Sequence, residues 1–137
     1  MKVGQKVKGM PAGLVCLYFY PKDDTSGCTA QACSLRDGFS ELQKAGISVI
    51  GVSPDSKESH AKFTSKYSLP FMLTADTDKK LAKEFGVWVK KQFYGREYMG
   101  IKRTTFLIRN GVVAAIIDKP DVANHAHEVL EKFKLLE

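Results

Sequence analysis

From Leu14 to Phe19 every position is apolar, and Pro21 closes the run. A run that short and unbroken, ended by a breaker, reads as a strand buried on both faces. Past Thr25, Ser26 and Gly27 the period changes. Ala32, Leu35, Phe39 and Leu42 recur three or four residues apart, one face of a helix that Gly46 ends. Ile47–Val52 predicts a second strand. Asp55 and Glu58 have capping-box spacing, and Ala61, Phe63 and Tyr67 carry a helix up to Pro70. Phe71–Leu73 predicts a short third strand. Asp76 or Thr77 opens another helix, holding Leu81 and Phe85 and stopped by Gly86. Residues 87–101 show no clear period; with Val87, Trp88, Phe93, Tyr94 and Tyr98 they read as an irregular aromatic stretch. Thr104–Ile108 and Val112–Ile117 flank Asn110-Gly111, a strong hairpin signal. Asn124 to Leu135 is a last helix, with His125, Val129, Leu130 and Phe133 on or near one face.

The order βαβαβα-ββα predicts an α/β fold. Right-handed crossovers make its first strands parallel, the terminal hairpin adds antiparallel ones, and helices cover both faces of a mixed central sheet. The 137 residues suit a single domain and bury a core without staples. No repeat, linker or low-complexity segment divides them.

Charge narrows the function classes only slightly. The net +6 permits an anionic partner, but the cations are scattered. The densest group, Lys90, Lys91, Arg96, Lys102 and Arg103, reads as a solvated face, and no nucleic-acid-binding signature accompanies it. The first residues lack the apolar region of a signal peptide, and no apolar run reaches membrane-spanning length. The expectation is a cytoplasmic protein with neither nucleic-acid nor membrane partners.

Three cysteines cannot close a disulfide framework, so at least one thiol is free. Cys16 sits mid-strand and reads as packing. Cys28 falls just after a buried strand, where a helix begins. The unpaired N–H groups and positive dipole end of a first turn favour a thiolate, the nucleophilic form. Cys33 follows five residues later. On a regular helix that is roughly 500° of rotation, about 140° from facing, so a bridge between the two requires the first turns to unwind. The spacing is neither CxxC nor a zinc-ligand pattern. His60, His125 and His127 lie far from any cysteine in sequence, so no metal and no cofactor is expected.

The stretch Tyr18–Asp37, YFYPKDDTSGCTAQACSLRD, resembles the peroxiredoxins, and within them the bacterioferritin comigratory protein or peroxiredoxin Q group. Pro21, Thr25 and Cys28 match the family motif PxxxTxxC, and Cys33 matches the group's second cysteine. Gly100–Ile108 resembles the strand that carries the active-site arginine, here Arg103, and Phe85–Trp88 also fits. The resemblance implies a thioredoxin-like fold and a thiol-dependent peroxidase. In it Cys28 is peroxidatic and Cys33 resolving, and the resulting intramolecular disulfide is reduced by a thioredoxin-like dithiol. It further implies that the Thr25 hydroxyl accepts from the hydroperoxide and that Arg103 favours the thiolate and stabilises the leaving oxygen. Backbone groups at Gly27 and Cys28 supply further donors, and Pro21 covers the pocket.

There are two departures. Ser26 replaces the proline usual before Gly-Cys, and the family's N-terminal hairpin is missing before Leu14, which is expected to bare part of the sheet or helix surface and to favour association. A monomer or weak dimer is expected. Two alternatives remain: a one-cysteine peroxidase resolved by an external thiol, and a redox-responsive holdase.

Overall fold

The computed structural model describes residues 1–136. A five-stranded mixed sheet has β1 (Leu14–Phe19) at its centre, pairing parallel with β2 (Ile47–Ser53) and antiparallel with β6 (Thr104–Arg109). The edges are β3 (Met72–Ala75), parallel to β2, and β7 (Val112–Ile117), antiparallel to β6. The expected mixed thioredoxin-like sheet is therefore present.

Both faces of β1 are buried, which accounts for its unbroken apolar run. Cys16 and Tyr18 point into one layer, with Tyr20 just beyond the strand. That layer packs against α1 (Ser26–Asp37), α2 (Phe39–Lys44), α3 (Lys57–Tyr67) and α5 (His125–Leu135). Val15, Leu17 and Phe19 point into the other, formed with α4 (Lys80–Glu84), Val7 and Ile101. The alternation follows from the two-residue period of a strand. Phe19, Phe85 and Phe106 form the aromatic centre of the second layer, with ring centroids 5.0–5.7 Å apart.

Four details differ from the sequence pattern. The helix expected to run on to Gly46 breaks at Gly38 into α1 and α2. A Cβ on Gly38 would lie 2.4 Å from the Ala126 Cβ, so the corner exists where α5 approaches the backbone directly. The N-cap of α3 is Ser56, whose Oγ accepts from Ser59 N at 3.1 Å; Asp55 is engaged elsewhere. α3 ends before Pro70, at Ser68, which adopts a left-handed conformation.

The fourth difference is the largest. The stretch read as irregular is a regular two-stranded hairpin, β4 (Trp88–Phe93) and β5 (Arg96–Ile101). Tyr94 and Gly95 both have positive φ, as Asn110 and Gly111 do in the β6–β7 turn. Tyrosine in the position usual for Asn or Asp hides the turn. The hairpin stands outside the main sheet with Phe93 and Tyr94 exposed, so it lacks the alternation that marks a half-buried strand.

The segment before β1 lies along the outer edge of β7. Gly4 N donates to Val113 O, Val113 N to Gln5 O, and Val7 N to Gly111 O, at 2.7–3.0 Å. Part of the edge expected to be bare is thus paired.

Candidate active site

β1 delivers the chain to a loop, Tyr20–Thr25, that feeds directly into α1. Thr25 is the N-cap of α1, in extended conformation, and its carbonyl accepts from Thr29 N at 2.8 Å. Its hydroxyl donates to Lys22 O at 2.9 Å, which leaves the oxygen's lone pairs free to accept. Cys28 is the third residue of the helix, within the turn whose N–H groups lack helical partners. It is 1% exposed.

Arg103 arrives from the segment joining β5 to β6, 75 residues away in sequence. Its Nη2 donates to Cys28 Sγ at 3.2 Å and its Nη1 to Gln31 Oε1 at 2.6 Å. The planar fork thus spans the sulfur and a fixed amide, a geometry that an ammonium group cannot reproduce. Gly27 leaves room for this approach, since a Cβ there would lie 3.2 Å from Arg103 Nη2, a tight contact. The structure brings Cys28, Arg103 and Gly27 together, with Thr25 at the helix start. Pro21, partly buried, immediately follows Tyr20 at the end of β1.

Cys33 lies apart from this group. It is half-buried, and the regular helix sets it about 7.5 Å along the axis from Cys28. All three cysteines are free thiols. Cys16 is fully buried on β1, and burial pushes its thiol up to about 12, which removes it as a nucleophile near neutral pH.

Gln31 lies outside the motif residues that the sequence points to. It is fully buried and follows Cys28 by one helical turn, on the face shared with Ala32 and Leu35. A polar residue on an otherwise apolar face was the available signal. Among the described residues, Gln31 Nε2 and Tyr18 Oη are the buried side-chain polar atoms without a partner. Lys91 on β4, expected on a solvated face, is half-buried. Burial and the Arg103 charge pull its ammonium down, and the Cys28 sulfur partly opposes them.

A second buried polar cluster lies beside the loop. Asp23, Asp55 and His60 place one ligand-type atom each within 4.8 Å of one another. Asp23 and His60 are bonded to each other, Asp23 also to Tyr20 and Ser59, and His60 to Thr74 O; Asp55 accepts from Asp23 N and Ser53 Oγ. Hydrogen bonds thus join the trio to one another and to the loop. No helix among the described residues is long and apolar enough to cross a membrane.

Residues 5–116 match the AhpC/TSA family. Bacillus subtilis peroxiredoxin Bcp is 47% identical over 121 residues, covering 88% of this chain and 77% of that protein. A Xylella fastidiosa PrxQ mutant superposes with a TM-score of 0.89 at 31% identity, covering 98% and 96% of the two chains. Xanthomonas campestris bacterioferritin comigratory protein, studied as a trapped intermediate/ligand complex for its alkyl peroxide reduction activity, superposes with a TM-score of 0.84. It is 40% identical, covering 90% of this chain and 80% of that one.

Proposed function

The chain belongs to the AhpC/TSA family and is a peroxiredoxin of the Bcp kind, a thiol peroxidase, and from that premise we propose that Cys28 is its peroxidatic residue and Cys33 its resolving one. The observation that carries the first assignment is the 3.2 Å contact between Arg103 Nη2 and a sulfur seated in the first turn of α1. In this reading the Cys28 thiolate attacks the terminal oxygen of a hydroperoxide. The S–O bond forms as the O–O bond breaks, sulfur loses two electrons, and the departing alkoxide or hydroxide takes a proton to leave as alcohol or water.

The Thr25 oxygen accepts from the hydroperoxide O–H and aims it at sulfur. Arg103 remains a donor at any working pH and faces the charge that moves from sulfur to the leaving oxygen. Gln31 holds the guanidinium in plane. Hydrogen peroxide and organic hydroperoxides are the proposed substrates.

Resolution follows from the position of Cys33 on the same helix. Once the first turn of α1 unwinds, the Cys33 thiolate attacks the sulfenic sulfur, forming the S–S bond as hydroxide departs and becomes water. A thioredoxin-like dithiol then restores both thiols by exchange. Two features support the unwinding: a first turn is weakly held, and Thr25 caps α1 with no side-chain bond to its N–H groups. Arg36, three residues beyond Cys33, places a cation near that thiol. The proposed setting is the cytoplasm, with the chain as a monomer or weak dimer.

Replacement of Cys33 tests this route. The Cys33→Ser protein should consume one equivalent of hydroperoxide at close to the wild-type rate and then stop, with sulfenate persisting at Cys28. Turnover with a thioredoxin–thioredoxin reductase couple should fall by about tenfold or more. Undiminished steady-state turnover would assign resolution to an external thiol.

A further inference from the structure

The loop that carries Thr25 is fastened to α3 by a buried network that no step above uses. The Asp23 carboxylate, 8% exposed, accepts from Tyr20 Oη at 2.5 Å, Ser59 Oγ at 2.8 Å and His60 Nδ1 at 2.7 Å. The Asp23 amide donates to Asp55 Oδ2 at 2.8 Å, an oxygen that also accepts from Ser53 Oγ. The next residue, Asp24, has a left-handed backbone and accepts from Lys66 Nζ and Tyr67 Oη on α3, at 2.8 and 2.9 Å.

The protonation of His60 follows from what its two nitrogens face. Nδ1 meets the Asp23 carboxylate at 2.7 Å and, at 3.4 Å, the Tyr20 oxygen, whose proton is given to Asp23 at 2.5 Å; Nε2 meets the Thr74 carbonyl at 3.1 Å. The carboxylate and the carbonyl are accept-only groups, and a neutral imidazole has one N–H. The ring satisfies both contacts only as an imidazolium.

His125 is the contrast. Its Nδ1 meets the Glu128 carboxylate at 2.8 Å, but its Nε2 meets the Thr105 hydroxyl at 2.9 Å, which can donate. A neutral ring satisfies both of those. The directions of titration agree with the geometry. Burial pulls His60 down, but the bond and charge of Asp23, the Thr74 carbonyl and the Asp55 charge outweigh it, and the net shift is upward. For His125 burial prevails over Glu128, and the shift is downward.

We propose that His60 is a positioning residue for the peroxidase reaction: as an imidazolium it latches Asp23, and with it the Thr25 loop and the start of α1, against α3, and loss of its proton leaves one N–H for two acceptors and removes the charge facing the carboxylate, which loosens that loop. The consequence for turnover rests on the unwinding step proposed above. A held loop keeps Thr25 and Cys28 in register for peroxide, and a released one eases the path to Cys33.

The groups facing the ring are Tyr20 from the end of β1, Asp23 from the loop, Asp55 from the segment before α3, and the Thr74 carbonyl from β3. On α3 itself Lys57 lines the same outer cleft. Because the folded-state value of His60 is raised, the latch is complete below its ordinary 6.5 and is lost as pH climbs through the raised value. Asp23 is shifted the other way: burial raises it, but its bonds from His60, Tyr20 and Ser59 bring it below the ordinary 3.8. Its share is complete above 3.8 and is lost as pH falls through the lowered value. The latch is therefore complete between the ordinary 3.8 of the carboxyl and the ordinary 6.5 of the imidazole, and weakens as pH climbs through the raised His60 value.

The test uses the reduced wild-type protein, so it does not depend on disulfide chemistry. Nitrogen-15 spectra of the His60 ring should show both nitrogens protonated at pH 6.5, with one titration above that pH. Amide-exchange protection of residues 22–29, corrected for intrinsic rates, should fall about tenfold through the same titration. His60→Asn, whose amide can donate to Asp23 but cannot titrate, should keep partial protection and lose the pH step. A neutral His60 ring at pH 6.5 overturns the proposal without any variant, as does a protection step that survives in His60→Asn. Failure to find a Cys28–Cys33 disulfide in a separate mass measurement would remove the resolving role of Cys33 and leave these readouts unaffected.

Discussion

Cys28→Ser protein is expected to consume hydroperoxide no faster than buffer does. The substitution exchanges sulfur for oxygen at a site that is 1% exposed, so little packing volume changes. The serine oxygen can still accept from Arg103 Nη2, and thermal unfolding should shift by about 1 kcal/mol or less. What is lost is the nucleophile. A serine hydroxyl remains protonated near neutral pH, and among the described residues no base is hydrogen-bonded to this side chain to activate it. Stopped-flow or coupled peroxide consumption checks the prediction, with circular dichroism confirming the fold. Residual turnover comparable to wild type would move the chemistry to another residue. Cys16 is a poor candidate, since burial pushes its thiol up to about 12.

The second large effect belongs to Arg103. Arg103→Lys retains the positive charge but cannot bridge Cys28 Sγ and Gln31 Oε1 with one planar group. Lys is also shorter in reach and would leave Gln31 Oε1 buried without a donor. The second-order rate of Cys28 oxidation should fall about 10²- to 10³-fold, the usual effect of removing a fixed donor aimed at developing charge. Rapid-quench measurement of sulfenate formation at several peroxide concentrations reads this directly. A loss under about fivefold would mean that bulk charge, not fork geometry, is what the site needs. Lys91 then becomes relevant as a second cation near the sulfur.

The sequence reveals most where a pattern is local. The run at Leu14–Phe19 and the Asn110-Gly111 turn express their structure in neighbouring residues, and β1 and the β6–β7 hairpin lie where the pattern puts them. The β4–β5 hairpin is concealed because its turn carries Tyr94 and its strands pack on no large apolar face. The break at Gly38 is concealed because its cause is Ala126, 88 positions away along the chain.

The site divides the same way. That Cys28 begins a helix is readable from the strand, the polar loop and the apolar period on either side of it. That Arg103 meets its sulfur is not readable from spacing at all; only the resemblance of Gly100–Ile108 to a known strand suggested it. Gln31 was within reach, as a polar residue one turn from Cys28 on a buried face. The two buried histidines were not. Their partners come from other elements, and whether a ring is charged depends on acceptor and donor groups that no local pattern encodes.

Peroxide is expected to oxidise Cys28, and Cys33 to capture the product within the same chain. Reduced protein treated with one equivalent of hydroperoxide, alkylated and digested, should show the Cys28 and Cys33 segments linked, two hydrogens lighter than the reduced form, with Cys16 alkylated in full once unfolded. A stable sulfenic acid at Cys28 with Cys33 still free, or oxidation falling first on Cys33 or Cys16, would contradict it.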